Sequence, residues 1–413
     1  MCALKNDTEA SADRPSRTVK NTSALLAIGV GFLLSALCLK LRPYPCVWLG
    51  WAWTLVLIAG ARLLRTTSAR AVAFNAAVLL AILAATETYF ALKENERPVV
   101  SDGYYRLDDV LGTAPRMGAI AHASRHEHGK LVYDVTYTID SDGLRIAPPV
   151  RAGNLAGSIL FFGGSFTFGE GLQDDETLPY QVGVQSQGAY RIYNFAFHGY
   201  GPHQMLASIE SGRVLRVVDT PPRYAIYQLI SDHVARVAGK IPYGKHSPRY
   251  VLDSDGVARL HGHFGDGDDP PSAIEIRLDG QLRKSALYRT IANLEPRTNE
   301  ADVRLLLAIV RKSRDELAVQ FPGIQFQVIL WSFKDDKRIC EELNDGLTNM
   351  NIPVHSIDGI LPDFAQDPQK YILSPVDGHP NALADREIAS YVVANLVEPT
   401  PSSQPQVKEG LGN

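Results

Sequence analysis

The fold is decided by the stretch Ser158-Ile159-Leu160-Phe161-Phe162-Gly163-Gly164-Ser165-Phe166-Thr167-Phe168-Gly169-Glu170-Gly171. An apolar, β-favouring run at 159–162 passes directly into two glycines and a serine. A short apolar run bounded by glycines is typical of a buried strand in a parallel sheet, and glycines allow a sharp turn at its carboxyl end. Because ligands bind at that end in open α/β sheets, Ser165 is a candidate nucleophile. A serine that merely caps a helix is the alternative.

Strand-like and helix-like patterns alternate through residues 151–398. Further strands are predicted at 190–195, 224–230, 325–331 and 353–356, and helices at 204–217, 298–320, 336–350 and 381–396. This alternation predicts an α/β domain with a parallel sheet and helices on both faces. Residues 238–286 interrupt it, with a hairpin pattern at 249–264, and are predicted to form an insertion over the ligand edge, a candidate lid.

Two further motifs carry chemistry. Tyr193-Asn194-Phe195-Ala196-Phe197-His198-Gly199-Tyr200-Gly201 ends the second predicted strand, and the N–H of Gly199 could donate to a developing oxyanion. A plain strand-to-helix turn is the alternative. Near the C-terminus stands Asp377-Gly378-His379-Pro380-Asn381. Here His379 could take a proton from Ser165 while Asp377 orients the imidazole and stabilises its protonated form.

Together the three motifs resemble those of the GDSL/SGNH hydrolase superfamily, with Gly163-Gly164-Ser165-Phe166 in place of Gly-Asp-Ser-Leu. The resemblance covers about 151–398. It implies a flavodoxin-like three-layer α/β/α fold and acyl-ester chemistry, with Ser165, His379 and Asp377 as the catalytic triad and Gly199 in the oxyanion hole.

The chain departs from the family pattern twice. The third motif of the family ends a strand with an asparagine that donates to the oxyanion, whereas this chain has Ser231 at the matching position, followed by Asp232 and His233. We expect the Ser231 hydroxyl to donate instead, with Asn194, Asp232 and His233 as candidate substrate-binding residues. The last motif, usually Asp-x-x-His, is one residue shorter here, as in related acetyltransferase-type members.

Three charge-free segments, 21–39, 43–61 and 71–86, the last of them apolar through Leu92, predict a three-helix transmembrane anchor within 22–92. Glu87 is expected to reach the membrane interface, a functional intramembrane carboxylate being the alternative. Seven Lys and Arg flank one side of the membrane and five the other. This bias favours a C-terminal domain on the extracytoplasmic, periplasmic side.

The remaining segments are less informative. Residues 1–21 are predicted to be a polar tail, 93–150 a leader with a β-hairpin that packs on the edge of the domain, and 399–413 a disordered tail. Two groups of side chains are candidate cation sites, although solvated loops are the preferred interpretation: His122, Glu127, His126 and His128, and His261, His263, Asp266 and Asp268.

Composition limits the function classes. The net charge of −4 gives no basic footprint, which argues against a nucleic-acid partner, and no cofactor or metal motif is present. We therefore predict a membrane-anchored serine ester hydrolase that acts on an ester of an envelope glycan or lipid. An O-acetyltransferase of an envelope or extracellular polysaccharide is the first alternative. A non-catalytic glycan-binding or scaffold module is the second.

Overall fold

The computed structural model of the chain describes residues 44–64, 66–93, 98–127, 129–241, 243–266, 281–292 and 298–397, together with Leu33, Ser35 and Leu278. The predicted tails 1–21 and 399–413 lie outside these residues. So does most of the first predicted membrane segment.

Helices and strands alternate from residue 157 onward, whereas residues 98–138 form strands only. The helices are α1 (Pro45–Ala61), α2 (Thr67–Lys93), α3 (Ser165–Phe168), α4 (Leu178–Gln185), α5 (Pro202–Glu210), α6 (Arg213–Val217), α7 (Asp232–Val237), α8 (Ala286–Ala292), α9 (Glu300–Gln320), α10 (Lys337–Asn349), α11 (Ile357–Ile360) and α12 (Ala382–Tyr391). The strands are β1 (Val99–Val100), β2 (Tyr105–Asp108), β3 (Gly112–Pro115), β4 (Ile120–Glu127), β5 (Lys130–Thr138), β6 (Gly157–Phe162), β7 (Tyr190–Asn194), β8 (Pro222–Leu229), β9 (Pro248–Leu252), β10 (Ala258–His263), β11 (Gln325–Leu330), β12 (Val354–Ser356), β13 (Ile372–Ser374) and β14 (Asp377–Pro380).

A five-stranded sheet with the strand order β12-β11-β8-β6-β7 forms the centre of the domain. Every neighbouring pair is parallel, which confirms the predicted parallel sheet. Numbered within the sheet, the order is 5-4-3-1-2, the flavodoxin-like arrangement. The order of the chain reverses between β6 and β8, so the sheet has its switch point beside the carboxyl end of β6, where Ser165 follows.

The sheet is buried on both faces. Along β6, Leu160 and Phe162 belong to one apolar cluster, which includes residues of α5 and α9. Ile159 and Phe161 belong to a second cluster, which includes residues of α4 and α12. Side chains alternate across a strand, so helices cover both faces and the domain has three layers. This explains why the run 159–162 is apolar at every position.

The described chain divides into two compact units, one comprising residues 1–94 and 271–294 and the other 95–270 and 295–413. The predicted leader, from residue 95 on, therefore belongs to the unit that contains the sheet. Its hairpin is β4–β5. Within the predicted insertion, β9 and β10 form the expected antiparallel hairpin.

The first unit contains the apolar helices. Among the described residues one helix, α2, is long and apolar enough to cross a membrane, whereas three spans were predicted. The other apolar helix of this unit, α1, is only 17 residues long. The carboxylate of Glu87 on α2 accepts hydrogen bonds from the Ser285 hydroxyl at 2.7 Å and the Ala286 N–H at 2.6 Å. Glu87 thus caps the N-terminus of α8.

Candidate active site

The turn after β6 presents Ser165 at the start of α3. Gly163 has φ of +152° and Gly164 packs tightly, so both positions require glycine. A Cβ on Gly163 would lie 2.1 Å from the Thr167 hydroxyl. Since the first N–H groups of a helix have no partner within it, the Ser165 N–H is free of the helical ladder. The sharp turn therefore presents both the hydroxyl and the amide of Ser165 at the ligand edge of the sheet.

Ser165, His379 and Asp377 lie in a row, although the serine and the histidine are 214 positions apart. The Nε2 of His379 is 2.8 Å from Ser165 Oγ, and its Nδ1 is 2.5 Å from Asp377 Oδ1. The strand β14 carries both Asp377 and His379, and Asp377 Oδ1 also accepts the backbone N–H of His379 at 3.1 Å. This is the geometry of a nucleophile, a general base and an orienting carboxylate.

Arg125, on strand β4 of the predicted leader, holds the far side of the orienting carboxylate. Its Nη1 donates to Asp377 Oδ2 at 2.6 Å, and the Asp377 side chain is 1% exposed. Burial alone would raise the pKa of Asp377, but its hydrogen bond with His379 and the charges of His379 and Arg125 lower the pKa overall. Asp377 therefore stays ionised and can stabilise an imidazolium.

A second carboxylate lies on the other side of His379. Glu170 Oε2 is 3.7 Å from His379 Nε2 and 2.6 Å from His198 Nδ1, while His198 Nε2 is 3.1 Å from the Tyr104 hydroxyl. Burial lowers the pKa of His379, but the charge of Glu170 and the bond to Asp377 raise it overall. Glu170 itself has a lowered pKa, because His379 and His198 outweigh its burial.

Ser165, His379 and Asp377 line a pocket of about 620 Å³. Its lining combines apolar side chains with charged ones: Arg125, Ser165, Phe166, Glu170, His198, Gly199, Ile230, Ser231, Asp232, Arg236, Tyr243, Phe333, Asp336, Val376, Asp377, Gly378 and His379. Gly199 has φ of +72°, a left-handed conformation that favours glycine, and it lines the same pocket as Ser165.

Of the four polar residues predicted at the ends of β7 and β8, two line the pocket and two do not. Ser231 lines the pocket, but its hydroxyl donates to Asp336 Oδ2 at 2.6 Å, so that hydrogen is not available to an oxyanion. Asp232 also lines the pocket. Asn194 and His233 do not line it and are buried at 2% and 1% exposure.

Both buried side chains have structural partners instead of the predicted role in binding substrate. The Asn194 amide donates to the Thr167 carbonyl at 3.1 Å, and its carbonyl accepts the Ala196 N–H. His233 Nδ1 lies 2.7 Å from the Tyr227 hydroxyl. Asn194 is the last residue of β7 and its side chain points inward, whereas His233 is on the inner face of α7. We correct the sequence expectation for these two residues.

Among the residues that the structure describes, no group of three or more His, Cys, Asp or Glu side chains is placed to hold a metal ion. His122 pairs with Asp134 and His263 with Asp266. His128 and Asp268 lie outside the described residues.

Sequence reasoning missed six polar residues of the pocket: Arg125, Glu170, His198, Arg236, Tyr243 and Asp336. Two stood within the motifs themselves, since Glu170 is in the opening stretch and His198 directly precedes Gly199. For Glu170 the available signal was a charged residue only five positions after Ser165, within a stretch that is otherwise uncharged. No comparable signal pointed to Arg125 or Arg236.

Comparison with solved structures gives distant likenesses. A protein from Desulfitobacterium hafniense DCB-2, described as lipolytic and of the G-D-S-L family, is 11% identical with a TM-score of 0.32, over 57% of this chain and 98% of its own. An acetyl xylan esterase from the rumen bacterium Butyrivibrio proteoclasticus is 13% identical with a TM-score of 0.32, over 62% and 67%.

A carbohydrate esterase whose active site is described as having divergent catalytic and non-catalytic binding functions is 10% identical with a TM-score of 0.37, over 73% of this chain and 98% of its own. No protein-family model and no curated protein matches the sequence.

Proposed function

We propose that the protein is a serine ester hydrolase of the GDSL/SGNH type that works through an acyl-enzyme. The observation that carries this proposal is the row of Asp377, His379 and Ser165, with contacts of 2.5 and 2.8 Å beside an open pocket. A structural serine in a core would need neither an ionised carboxylate behind its histidine nor a cavity in front of it.

The first half-reaction follows from these contacts. Ser165 Oγ attacks the ester carbonyl carbon as its proton passes to His379 Nε2, and the carbonyl oxygen becomes an oxyanion. The N–H groups of Ser165 and Gly199 are the proposed backbone donors to it. When the intermediate collapses, the bond to the alcohol oxygen breaks and His379 returns the proton to that oxygen. Water then attacks the acyl-enzyme by the same route, releasing the acid.

The substrate is proposed to be an ester on an envelope glycan or lipid. The lining supports a ligand with both apolar and polar parts, because Phe166, Ile230 and Phe333 lie in the same pocket as Asp232 and Asp336. Tyr243 at this pocket is 61% exposed and offers an aromatic surface to a bulky substrate.

A membrane anchor is proposed for the first unit. Only 11% of the most apolar stretch of α2 is made of buried residues, and side chains such as Leu79 and Ile82 are exposed at 62% and 58%. An apolar helix exposed in this way suits lipid better than water. The distribution of Lys and Arg favours the periplasmic side for the catalytic unit. A reporter that is active only outside the cytoplasm, joined after residue 398, tests this; inactivity of that reporter would reverse the assignment.

The decisive experiment for the reaction is labelling by a serine-reactive fluorophosphonate. We expect the full-length protein in detergent to be labelled and Ser165→Ala to be unlabelled, with equal folding by circular dichroism. Release of acetate from an activated acetyl ester, with and without oligosaccharide, then distinguishes hydrolysis from transfer to sugar. Equal lack of labelling in both proteins would favour a non-catalytic module.

A further inference from the structure

Arg236, on α7 at the pocket, is a buried cation without a close carboxylate. Its side chain is 6% exposed. The carboxylate within ion-pair range among the described residues is Asp232, at 3.9 Å and itself 63% exposed. The Nε of Arg236 is buried and has no hydrogen-bond partner there. A buried charge that is poorly paired is strongly destabilising, so a structural role alone does not account for it.

The groups packed around Arg236 leave its charge uncompensated. Nη1 donates to the carbonyl of Tyr200 at 2.6 Å, which satisfies one hydrogen but supplies no negative charge. His203 and His233 are both buried, and burial together with Arg236 lowers the pKa of each. They are therefore neutral near pH 7. Arginine does not lose its proton in proteins, and the guanidinium stays positive.

The position of this cation relative to the nucleophile is set by Gly164. A Cβ at Gly164 would lie 2.7 Å from Arg236 Nη1 and 2.8 Å from the Tyr200 carbonyl. Glycine at 164 thus lets the guanidinium approach the backbone directly before Ser165. Tyr200 directly follows Gly199, so one guanidinium contacts both turns that carry the proposed backbone donors. Arg236, Ser165 and Gly199 all line the same pocket.

The side chain expected to complete the oxyanion hole is committed elsewhere. The family pattern has an asparagine after the third strand, and the residue at that point, Ser231, donates its hydroxyl to Asp336. Arg236 lies on the helix that begins one residue later. It has five N–H groups, of which the Tyr200 carbonyl takes one.

We infer that Arg236 is the side-chain donor of the oxyanion hole, in the place that asparagine takes in the family pattern. This inference rests on the proposed ester chemistry. When the bond from Ser165 Oγ to the carbonyl carbon forms, the carbonyl π electrons move onto oxygen, and a guanidinium N–H donates to that negative oxygen. A charge-assisted hydrogen bond of this kind is stronger than one from a neutral amide. It acts mainly after the charge has developed, and therefore on kcat.

Steady-state hydrolysis of a neutral activated acetyl ester by the full-length protein in detergent tests the inference. We expect Arg236→Met, which keeps an unbranched side chain but has no N–H, to lower kcat by about 10²–10³-fold, the range found for loss of one such donor, with KM changed less than about threefold. Arg236→Lys should recover part of the loss because it keeps the charge and a donor. Ser231→Ala should cost far less than Arg236→Met. Arg213→Met is the matched control, since Arg213 also donates to a backbone carbonyl but lies outside the pocket, and it should leave kcat unchanged.

Fluorophosphonate labelling of the same variants separates the possible failures. Slow labelling of Arg236→Met with wild-type thermal stability supports the inference. Wild-type kcat and labelling in Arg236→Met would overturn it while leaving the proposed function intact, as would a loss confined to KM, which would indicate a role in binding the ester in its ground state. If Arg236→Met does not fold, the rates of Arg236→Lys decide, and wild-type rates would overturn the inference. A wild type that is not labelled overturns both proposals.

Discussion

Replacing Asp385 with asparagine should remove a pH dependence from the stability of the catalytic unit. Asp385 on α12 is fully buried, and its Oδ2 accepts the N–H of Leu178, the first residue of α4, at 2.8 Å. Burial raises the pKa of Asp385 to about 8, although the bond from Leu178 and the charge of Arg145 act in the opposite direction. The folded protein therefore holds a proton here that the unfolded chain loses near pH 4.

The sign and size follow from proton linkage. Between the two pKa values the folded state binds more protons, so the free energy of unfolding falls as pH rises. The gap from 3.8 to about 8, at about 1.36 kcal/mol per pH unit, sets a ceiling of roughly 6 kcal/mol. Relaxation around a buried charge reduces such costs. We expect wild type to lose about 2–4 kcal/mol between pH 5 and pH 8.

Asparagine imitates the protonated acid, since its carbonyl can still accept the Leu178 N–H. Asp385→Asn should match wild type at pH 5 and exceed it at pH 8. Denaturant unfolding followed by the fluorescence of Trp331 measures the difference, with Trp48, Trp51 and Trp53 replaced by phenylalanine in both proteins. Other titrating groups are common to the two curves and cancel. Parallel curves from pH 5 to pH 8 would refute the reasoning.

Two further predictions concern the groups around His379. Glu170→Gln removes the negative charge that raises the pKa of His379; since the base must be neutral, the acidic limb of the kcat/KM profile should move to lower pH, and an unmoved limb would contradict this. Arg125→Gln removes a charged hydrogen bond to Asp377 worth about 1.5–3 kcal/mol, and kcat should fall by about 10–100-fold. Arg125→Lys should fall less, and equal losses in the two variants would argue against a charge effect.

That Ser165, His379 and Asp377 come together could be predicted from the sequence because each of them stands in a local pattern. Ser165 follows a strand and two glycines, and Asp377 lies two residues from His379. The residues that surround the row could not be predicted, since Arg125 meets Asp377 across 252 positions. That contact depends on how a separate hairpin packs, and no local periodicity encodes it.

Side-chain direction at the ends of strands was the other limit. Asn194 lies near the end of the predicted strand 190–195, and Ser231 directly follows the predicted strand 224–230. Both were expected to face a ligand. In the structure the Asn194 side chain ties the end of β7 to the backbone of α3, whereas the Ser231 hydroxyl is bound by Asp336 on a distant segment. The pattern of the sequence places a residue at the edge of the sheet but does not fix which partner its side chain meets.

The cap on α8 has a practical consequence for preparing a soluble enzyme. Residues 271–294 belong to the same compact unit as residues 1–94, and the N–H groups of Ala286 and Leu287 depend on Glu87 for their acceptors. Deleting residues 1–94 alone would leave those amides unsatisfied and would remove the neighbours of the apolar side of α8. A better design deletes both residues 1–94 and residues 271–294, and connects residue 270 to residue 295 through a flexible linker.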